Sequence, residues 1–358
     1  MSLDKIRLVE CCVSISDGDH LPPPKSEKGI PFITISNINS YNQIDFANTM
    51  FVPEDYYNKL DTKRKAQQGD ILYSVVGSFG IPILIKDNTK FVFQRHIAIL
   101  RPDKNVDSRF LYYKMLSREF YALADVAAIG AAQRTISLSA LRNMEITLPD
   151  IDTQKRIADI LSNYDNLIEN NQKQIKLLEE AAQRLYKEWF VDLHFPGYES
   201  TTITDGVPEG WSHNTVDSIV NLLSGYAFKS KTFDDSGDFK IVTIKNVQDG
   251  FFDGENVNRI SETPTKMPDH CVLQDGDILL SLTGNVGRAC LVNGENYLLN
   301  QRVAKLDSKF KGYTYCLFRS KDMFDAMNNL ANGAAQQNLS PIRTGNIEIL
   351  IPNDTLLA

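Results

Sequence analysis

Short apolar runs bounded by glycine turns recur along most of the chain. Gly69-Asp70 leads into Ile71-Leu72-Tyr73, and a second turn, Gly77 to Gly80, ends the run. That pattern predicts a tight turn feeding a strand. Residues 91–93 and 97–100 are further strand candidates. Residues 108–123 place Phe110, Leu111, Met115 and Leu116 at helical spacing and predict one helix. Residues 151–190 differ in kind. Positions taken four and three apart from Ile157 are Ile157, Leu161, Tyr164, Ile168, Asn171, Ile175, Leu178, Ala182, Leu185 and Trp189, nine of ten apolar. Lys, Glu, Gln, Asn and Asp fill most of the rest, so the segment predicts a coiled-coil seam. Asp152 or Thr153 is suited to cap its start after Pro149, and Pro196-Gly197 prevents continuation. Asn171, polar within the seam, would fix register or partner at a cost in stability. The alternative is a helix lying on the chain's own domains.

The chain contains itself twice. Gln67-Gln68-Gly69-Asp70-Ile71-Leu72-Tyr73-Ser74 recurs as Gln274-Asp275-Gly276-Asp277-Ile278-Leu279-Leu280-Ser281. Both continue to a G-x-x-G, Gly77 to Gly80 and Gly284 to Gly287. Upstream, Phe32 to Ile38 matches Ile241 to Val247; downstream, Gln94-Arg95 matches Gln301-Arg302 and Gly130-Ala131-Ala132-Gln133 matches Gly333-Ala334-Ala335-Gln336. The strands ending at Pro149 and Pro352 also match. Order is kept while the offset drifts only from 209 to 203. Residues 1–150 and 210–353 therefore read as two copies of one mixed α/β domain. The expected fold class is α+β, with two such domains joined by a long coiled-coil helix.

Composition narrows the function. At 358 residues with 42% hydrophobic content there is material for two or three cores, and no apolar run reaches the length of a membrane span. The start, MSLDKIRLVE, lacks the features of a signal peptide. Five cysteines without a C-x-x-C pair (Cys11, Cys12, Cys271, Cys290, Cys316) read as free thiols and point to a cytoplasmic location. The net charge of −7 argues against indiscriminate nucleic-acid binding. It is unevenly spread: +1 over residues 1–150, −2 over 151–197 and −6 over 198–358. Any polyanion would need basic side chains gathered on one face, with help from a partner. No catalytic constellation is present: no P-loop, no H-E-x-x-H, and no Asn- or Asp-Pro-Pro-aromatic motif, the one proline cluster being Leu21-Pro22-Pro23-Pro24. His20, His96, His194, His213 and His270 show no ligand spacing. No cofactor and no metal are expected, and the chain is not expected to be an enzyme.

The segment QKRIADILSNYDNLIENNQKQIKLLEEAAQRLYKEWFVD, the preceding strand ending in Pro149, the two GDIL turns and Gly206 to Trp211 (GVPEGW) together resemble the specificity subunit of type I restriction–modification systems. The resemblance covers nearly the whole chain. It implies target recognition domains at 1–150 and 196–353 and a conserved long helix at 151–195, with 354–358 as the start of a second conserved helix that does not follow. The implied function is sequence-specific binding of double-stranded DNA without catalysis, one domain per half of a bipartite target. The helix would act as spacer and docking site for two methyltransferase subunits; endonuclease/translocase subunits would join for cleavage, with no membrane involved. About 38 helical residues span roughly 57 Å, comparable to roughly 17 base pairs of duplex. The seam would be covered by a second copy or by a helix-donating partner. The competing class is a coiled-coil scaffold carrying two protein-binding domains.

Under this resemblance the repeat sorts candidate DNA contacts. Residues identical in both copies cannot distinguish two half-sites. Gln94, Arg95, Gln301 and Arg302 are thus expected to be phosphate contacts or scaffold, including an arginine buried against a carboxylate; Gln133 and Gln336 are further shared candidates. Residues that differ at matched loop positions are the candidate base readers: Ser36 against Lys245, Ser78 against Asn285, Ile81 against Arg288, and Arg134-Thr135 against Gln337-Asn338. Arginine suits guanine, and glutamine or asparagine suits adenine, in the major groove. Ordinary surface drift would produce the same differences.

Overall fold

A computed structural model describes residues 5–20, 22–39, 42–131, 133–331 and 338–357. It divides into two compact units, Met1–Gln172 and Lys173–Ala358.

In the first unit the strands are β1 (Lys5–Arg7), β2 (Cys12–Asp17), β3 (Ile30–Ile33), β4 (Met50–Val52), β5 (Ile71–Ser74), β6 (Pro82–Leu84), β7 (Val92–Phe93), β8 (Ile97–Pro102) and β9 (Glu145–Thr147). The helices are α1 (Glu54–Lys59), α2 (Ser108–Leu116), α3 (Arg118–Ala127), α4 (Leu138–Asn143) and the start of α5 (Ile151–Tyr186). An antiparallel sheet runs β2-β8-β5-β6, a second runs β4-β3-β7, and β1 pairs β9. All four residues of β5 are buried because both sheet faces are covered. Ile71 and Tyr73 join the core beneath the helices, with Leu111 and Phe120. Leu72, pointing the other way, joins Ile33, Phe93 and Ile99. The predicted single helix at 108–123 is two, because the Ser117 hydroxyl accepts the N–H of Phe120 and restarts the helix.

The second unit repeats this plan. A short hairpin, β10 (Ile203–Thr204) and β11 (Val207–Pro208), leads into β12 (Ser212–Thr215), β13 (Asn221–Ser224), β14 (Phe239–Val242), β15 (Asn258–Ile260), β16 (Val272–Leu273), β17 (Ile278–Ser281), β18 (Ala289–Leu291), β19 (Tyr297–Leu299), β20 (Val303–Asp307) and β21 (Glu348–Ile351). The helices are α6 (Lys311–Arg319), α7 (Lys321–Ala331), α8 (Pro341–Gly345) and α9 (Asp354–Leu357). The sheets run β13-β20-β17-β18 and β15-β14-β19-β16, and β12 pairs β21. Strand order matches the first unit strand for strand, with β16 added at one edge. Ile278 and Leu280 face the helix-side core and Leu279 the opposite one. Ser320 separates α6 from α7 as Ser117 separates α2 from α3; its hydroxyl accepts the N–H of Met323.

The helix α5 spans the division between the units, and each half is docked through its polar positions. In the first unit the buried Gln154 accepts the N–H of Asp107 at 2.9 Å, and Asp159, Asp165 and Glu169 bind Arg109, Tyr113 and Lys86. In the second, Glu179 accepts from Tyr315 at 2.9 Å and pairs with Arg319, and Gln183 donates to the Cys316 carbonyl. The seam residues Ile157, Leu161, Tyr164, Ile168, Asn171, Ile175, Leu178, Ala182 and Leu185 are all exposed, and Trp189 is half-buried. Ile160 and Leu167 widen the exposed stripe. The start is capped by Asp150, whose carboxylate accepts the N–H of Thr153 at 2.9 Å, rather than by Asp152 or Thr153. The helix ends in a π-turn, Lys187–Val191. No helix among the described residues is long and apolar enough to cross a membrane.

Candidate nucleic-acid interface

In each unit the loops that leave one end of the four-stranded sheet are tied to each other by backbone hydrogen bonds. In the first, Val75 N–H donates to His96 at 2.9 Å, Arg95 N–H to Asp19 at 3.0 Å, Gln94 N–H to Ile33 at 3.1 Å and Gly77 N–H to Arg134 at 3.0 Å. These bonds tie together loops that carry Ser36, Ser78, Gln94, Arg95, Gln133, Arg134 and Thr135, separated by up to about a hundred positions in sequence; the tied loops form a rim. In the second, Leu282 N–H donates to Arg302, Gln301 N–H to Tyr226 and Asn300 N–H to Val242. The loops tied there carry Lys245, Asn285, Arg288, Gln301, Arg302 and Asn338; Gln336 and Gln337 lie outside the described residues. Thr135 bridges to Val76 as Asn338 bridges to Thr283, which places these two positions in equivalence.

The side chains fall into two groups. Arg95, Lys245 and Arg302 are exposed and have no hydrogen bond or ion pair to their cationic groups among the described residues. Ser78, Gln133, Asn285, Gln301 and Asn338 are exposed as well. Arg134 instead binds the Asp125 carboxylate at 2.5 Å and lies over the Phe79 ring at 5.1 Å. Arg288 donates to Gln248, and the Ser36 hydroxyl sits 2.8 Å from that of Thr34. Arg134 and Arg288 are thus held by their own domain, whereas Arg95, Lys245 and Arg302 are free to meet an anion. At the edge of the first rim Tyr56 donates to Asp19; burial, then this bond, push its hydroxyl up to about 12.

Many features shared by the copies are explained by the fold alone. Ser74 and Ser281 hydroxyls accept the N–H of Ile81 and of Arg288 across the G-x-x-G turns. The glycines there have φ of 71° and 91° in one copy and 72° and 82° in the other, left-handed values that favour glycine. Asn37 and Asn246 each accept from the threonine three residues earlier.

One sequence match does not survive. Ser74 pairs Ile97 and Ser281 pairs Val303, and the bridge residues are Gln94 and Asn300. Gln94 is therefore equivalent to Asn300, Arg95 to Gln301, and His96 to Arg302. Matching Gln-Arg to Gln-Arg slips the register by one and overlooks His96 and Asn300. The signal was present: Ala98 and Leu100 align with Ala304 and Leu306 at an offset one residue shorter.

Among the described residues no group of three or more His, Cys, Asp or Glu is placed to hold a metal ion. Cys11, Cys271, Cys290 and Cys316 are buried, and burial pushes the thiols of Cys12 and Cys290 up to about 12.

Comparison with known proteins places these observations. Residues 20–180 and 208–355 match the type I restriction modification DNA specificity domain. The type I restriction enzyme MjaVIII specificity subunit of Methanocaldococcus jannaschii is 27% identical over 269 residues, 72% of this chain and 62% of that one. The MjaIX specificity subunit of the same organism is 25% identical over 305 residues, 81% of this chain and 69% of that one. The chain thus spans roughly two thirds of the length of these relatives. The crystal structure of a type I restriction–modification S subunit from M. genitalium shares the fold, with a TM-score of 0.58 at 16% identity over 99% of this chain and 86% of that one. Two matched stretches, one over each copy of the repeat, show that the chain belongs to the type I restriction–modification DNA specificity family.

Proposed function

We propose that this chain is the sequence-reading subunit of a type I restriction–modification complex, each repeat contacting one half of a bipartite duplex target. The supporting observation is the rim in each unit, whose tied loops carry exposed polar side chains and the exposed cations Arg95 in one copy and Lys245 and Arg302 in the other, which have no bond to their cationic groups among the described residues. Cations free of protein partners are what phosphate contacts and guanine contacts require. The pairs Ser36/Lys245, Ser78/Asn285 and Thr135/Asn338 are readers in this account. Gln133 and Gln94 position the backbone, and Arg134 and Arg288 act from partly anchored positions. Gln336 and Gln337 belong to the same loop by sequence.

In this reading α5 is the spacer, and its exposed seam is the surface on which a further helix rests, supplied by a second copy or by another polypeptide. Two methyltransferase subunits dock there and carry the chemistry, and endonuclease/translocase subunits complete the complex in the cytoplasm. The chain supplies recognition and its partners supply catalysis.

The test is to produce the chain with its cognate modification subunits in a methylation-free host and sequence the host methylome. One bipartite motif that depends on this chain is expected; no motif, or one unchanged when the chain is omitted, refutes the reading. The scaffold alternative is separated by measuring duplex binding against salt. A DNA reader loses affinity steeply between about 50 and 200 mM salt, and a protein-binding scaffold shows no duplex affinity to lose.

A further inference from the structure

We propose that the two-residue turn ahead of β8 and of β20 is a base-reading element, Arg95-His96 specifying one half-site and Gln301-Arg302 the other. The proposal rests on the DNA-reading function above.

The turns share one backbone. Ile97 N–H donates to Gln94 at 3.0 Å and Val303 N–H to Asn300 at 2.9 Å, closing each turn. The preceding residue is tied to a parallel strand, Gln94 to Ile33 and Asn300 to Val242. The first turn residue donates to the crossing segment, Arg95 to Asp19 and Gln301 to Tyr226, and the second accepts from the neighbouring loop, His96 from Val75 and Arg302 from Leu282. The crossing segment is pressed close. A Cβ on Gly18 would lie 2.3 Å from the Phe93 carbonyl oxygen, and one on Gly225 would lie 2.3 Å from that of Asn300. Every backbone constraint on the turn is present twice.

The side chains on that common backbone differ. Arginine stands where the other copy has glutamine, and histidine where it has arginine. The shared polar residues Ser74 and Ser281, which pair beside the turn, are consumed by the fold: their hydroxyls brace the glycine turn. The turn residues Arg95, Gln301 and Arg302 are exposed, and no bond to their side chains exists among the described residues. A phosphate contact has no need to differ between half-sites, since phosphates are the same everywhere. A base contact must differ. Arginine is bidentate to guanine and glutamine bidentate to adenine, which is the contrast between Arg95 and Gln301. A rigid backbone presenting unencumbered side chains is also the arrangement that base discrimination demands.

The test uses the full chain with its cognate modification subunits in a methylation-free host, with host genomic DNA as the probe. Arg95→Gln should change the base accepted at one position of one half-site, shifting relative methylation of competing sequences by about tenfold or more. The other half should be untouched. Gln301→Arg should do the reverse. An unchanged motif with uniformly lower methylation in Arg95→Gln, restored by Arg95→Lys, would make Arg95 a phosphate contact and overturn the proposal. Changes in both half-sites from one substitution would overturn it too. A wild-type complex yielding no bipartite motif would instead defeat the underlying function. Unchanged thermal melting of each variant excludes misfolding as the cause.

Discussion

Asp70→Ala removes a carboxylate that is 1% exposed and that organises the turn into β5. Its oxygens accept from Arg101 Nε at 3.0 Å, from Arg101 Nη2 at 2.8 Å and from the Gln67 N–H at 3.0 Å. Those bonds hold the Arg101 guanidinium above its ordinary value. Without them a mostly buried cation and a backbone donor lose their acceptors. Breaking such a pair costs about 3–5 kcal/mol. The lower end applies, because Arg101 keeps 19% side-chain exposure and its bond to the Lys65 carbonyl at 3.0 Å. At a urea slope of about 2 kcal/mol per molar, a 3 kcal/mol loss moves the midpoint by about 1.5 M. The two units are separately visible. The only tryptophans, Trp189 and Trp211, lie in the second unit, so fluorescence follows that unit while far-ultraviolet circular dichroism follows both. Asp70→Ala should therefore lower the midpoint of part of the dichroism signal and leave the fluorescence midpoint in place. Asp277→Ala, which strips Lys305 of an acceptor at 2.8 Å, should lower the fluorescence midpoint. A shift in dichroism below about 0.3 M for Asp70→Ala, or an equal shift in both signals, would refute the argument that this shared aspartate braces its own unit.

Three further outcomes are expected. Ile168→Asp with Ile175→Asp, placed on exposed seam positions, should abolish association by α5; a wild-type chain that light scattering finds monomeric at micromolar concentration, with helicity unchanged in the variant, would show that the seam is no interface. Since the thiolate is the reactive form and burial pushes Cys12 and Cys290 up to about 12, iodoacetamide at about pH 8 should label the folded chain slowly and all cysteines quickly in urea; rapid native labelling counted by mass would contradict that burial. Gly18→Ala should destabilise the first unit by about 1–3 kcal/mol, because the new methyl meets backbone carbonyls at 2.3 and 2.5 Å that cannot swing aside; an unaltered melting temperature would mean the crossing is looser than drawn.

Much of the fold was legible because two signals were strong. The Gly-Asp turns pin β5 and β17, and the ordered repeat carries one copy's topology to the other. The seam of α5 was equally plain from its spacing. What escaped depends on contacts distant in sequence. The break at Ser117 is made by a hydroxyl capping in mid-pattern, where apolar spacing continues on both sides. The cap on α5 went to Asp150, one residue before the helix, as an N-cap should, although Asp152 and Thr153 have the same chemistry. The candidate rim is half legible: the sequence offers its residues, but the tying of their loops comes from pairing of β3 with β7 and β5 with β8. The Gln-Arg identity misled because identical letters on a two-residue turn outweighed the strand that follows, whose alternation sets the register. Side-chain chemistry alone singles out Arg134 in the sequence, and only the fold reveals Asp125 beside it.

The glycines that cross behind the turns at 95–96 and 301–302 separate two kinds of information. Gly18 and Gly225 are obstructed by main-chain oxygens, so a substitution there alters geometry and is penalised whatever its chemistry. The Arg95 and Gln301 side chains are exposed and have no hydrogen bond or ion pair among the described residues, so a substitution there changes chemistry more than geometry. If the turn reads bases as proposed, a substitution at position 95 or 301 would change the target without disturbing the crossing that holds the turn. Shape would then be inherited at one residue while preference drifts at another.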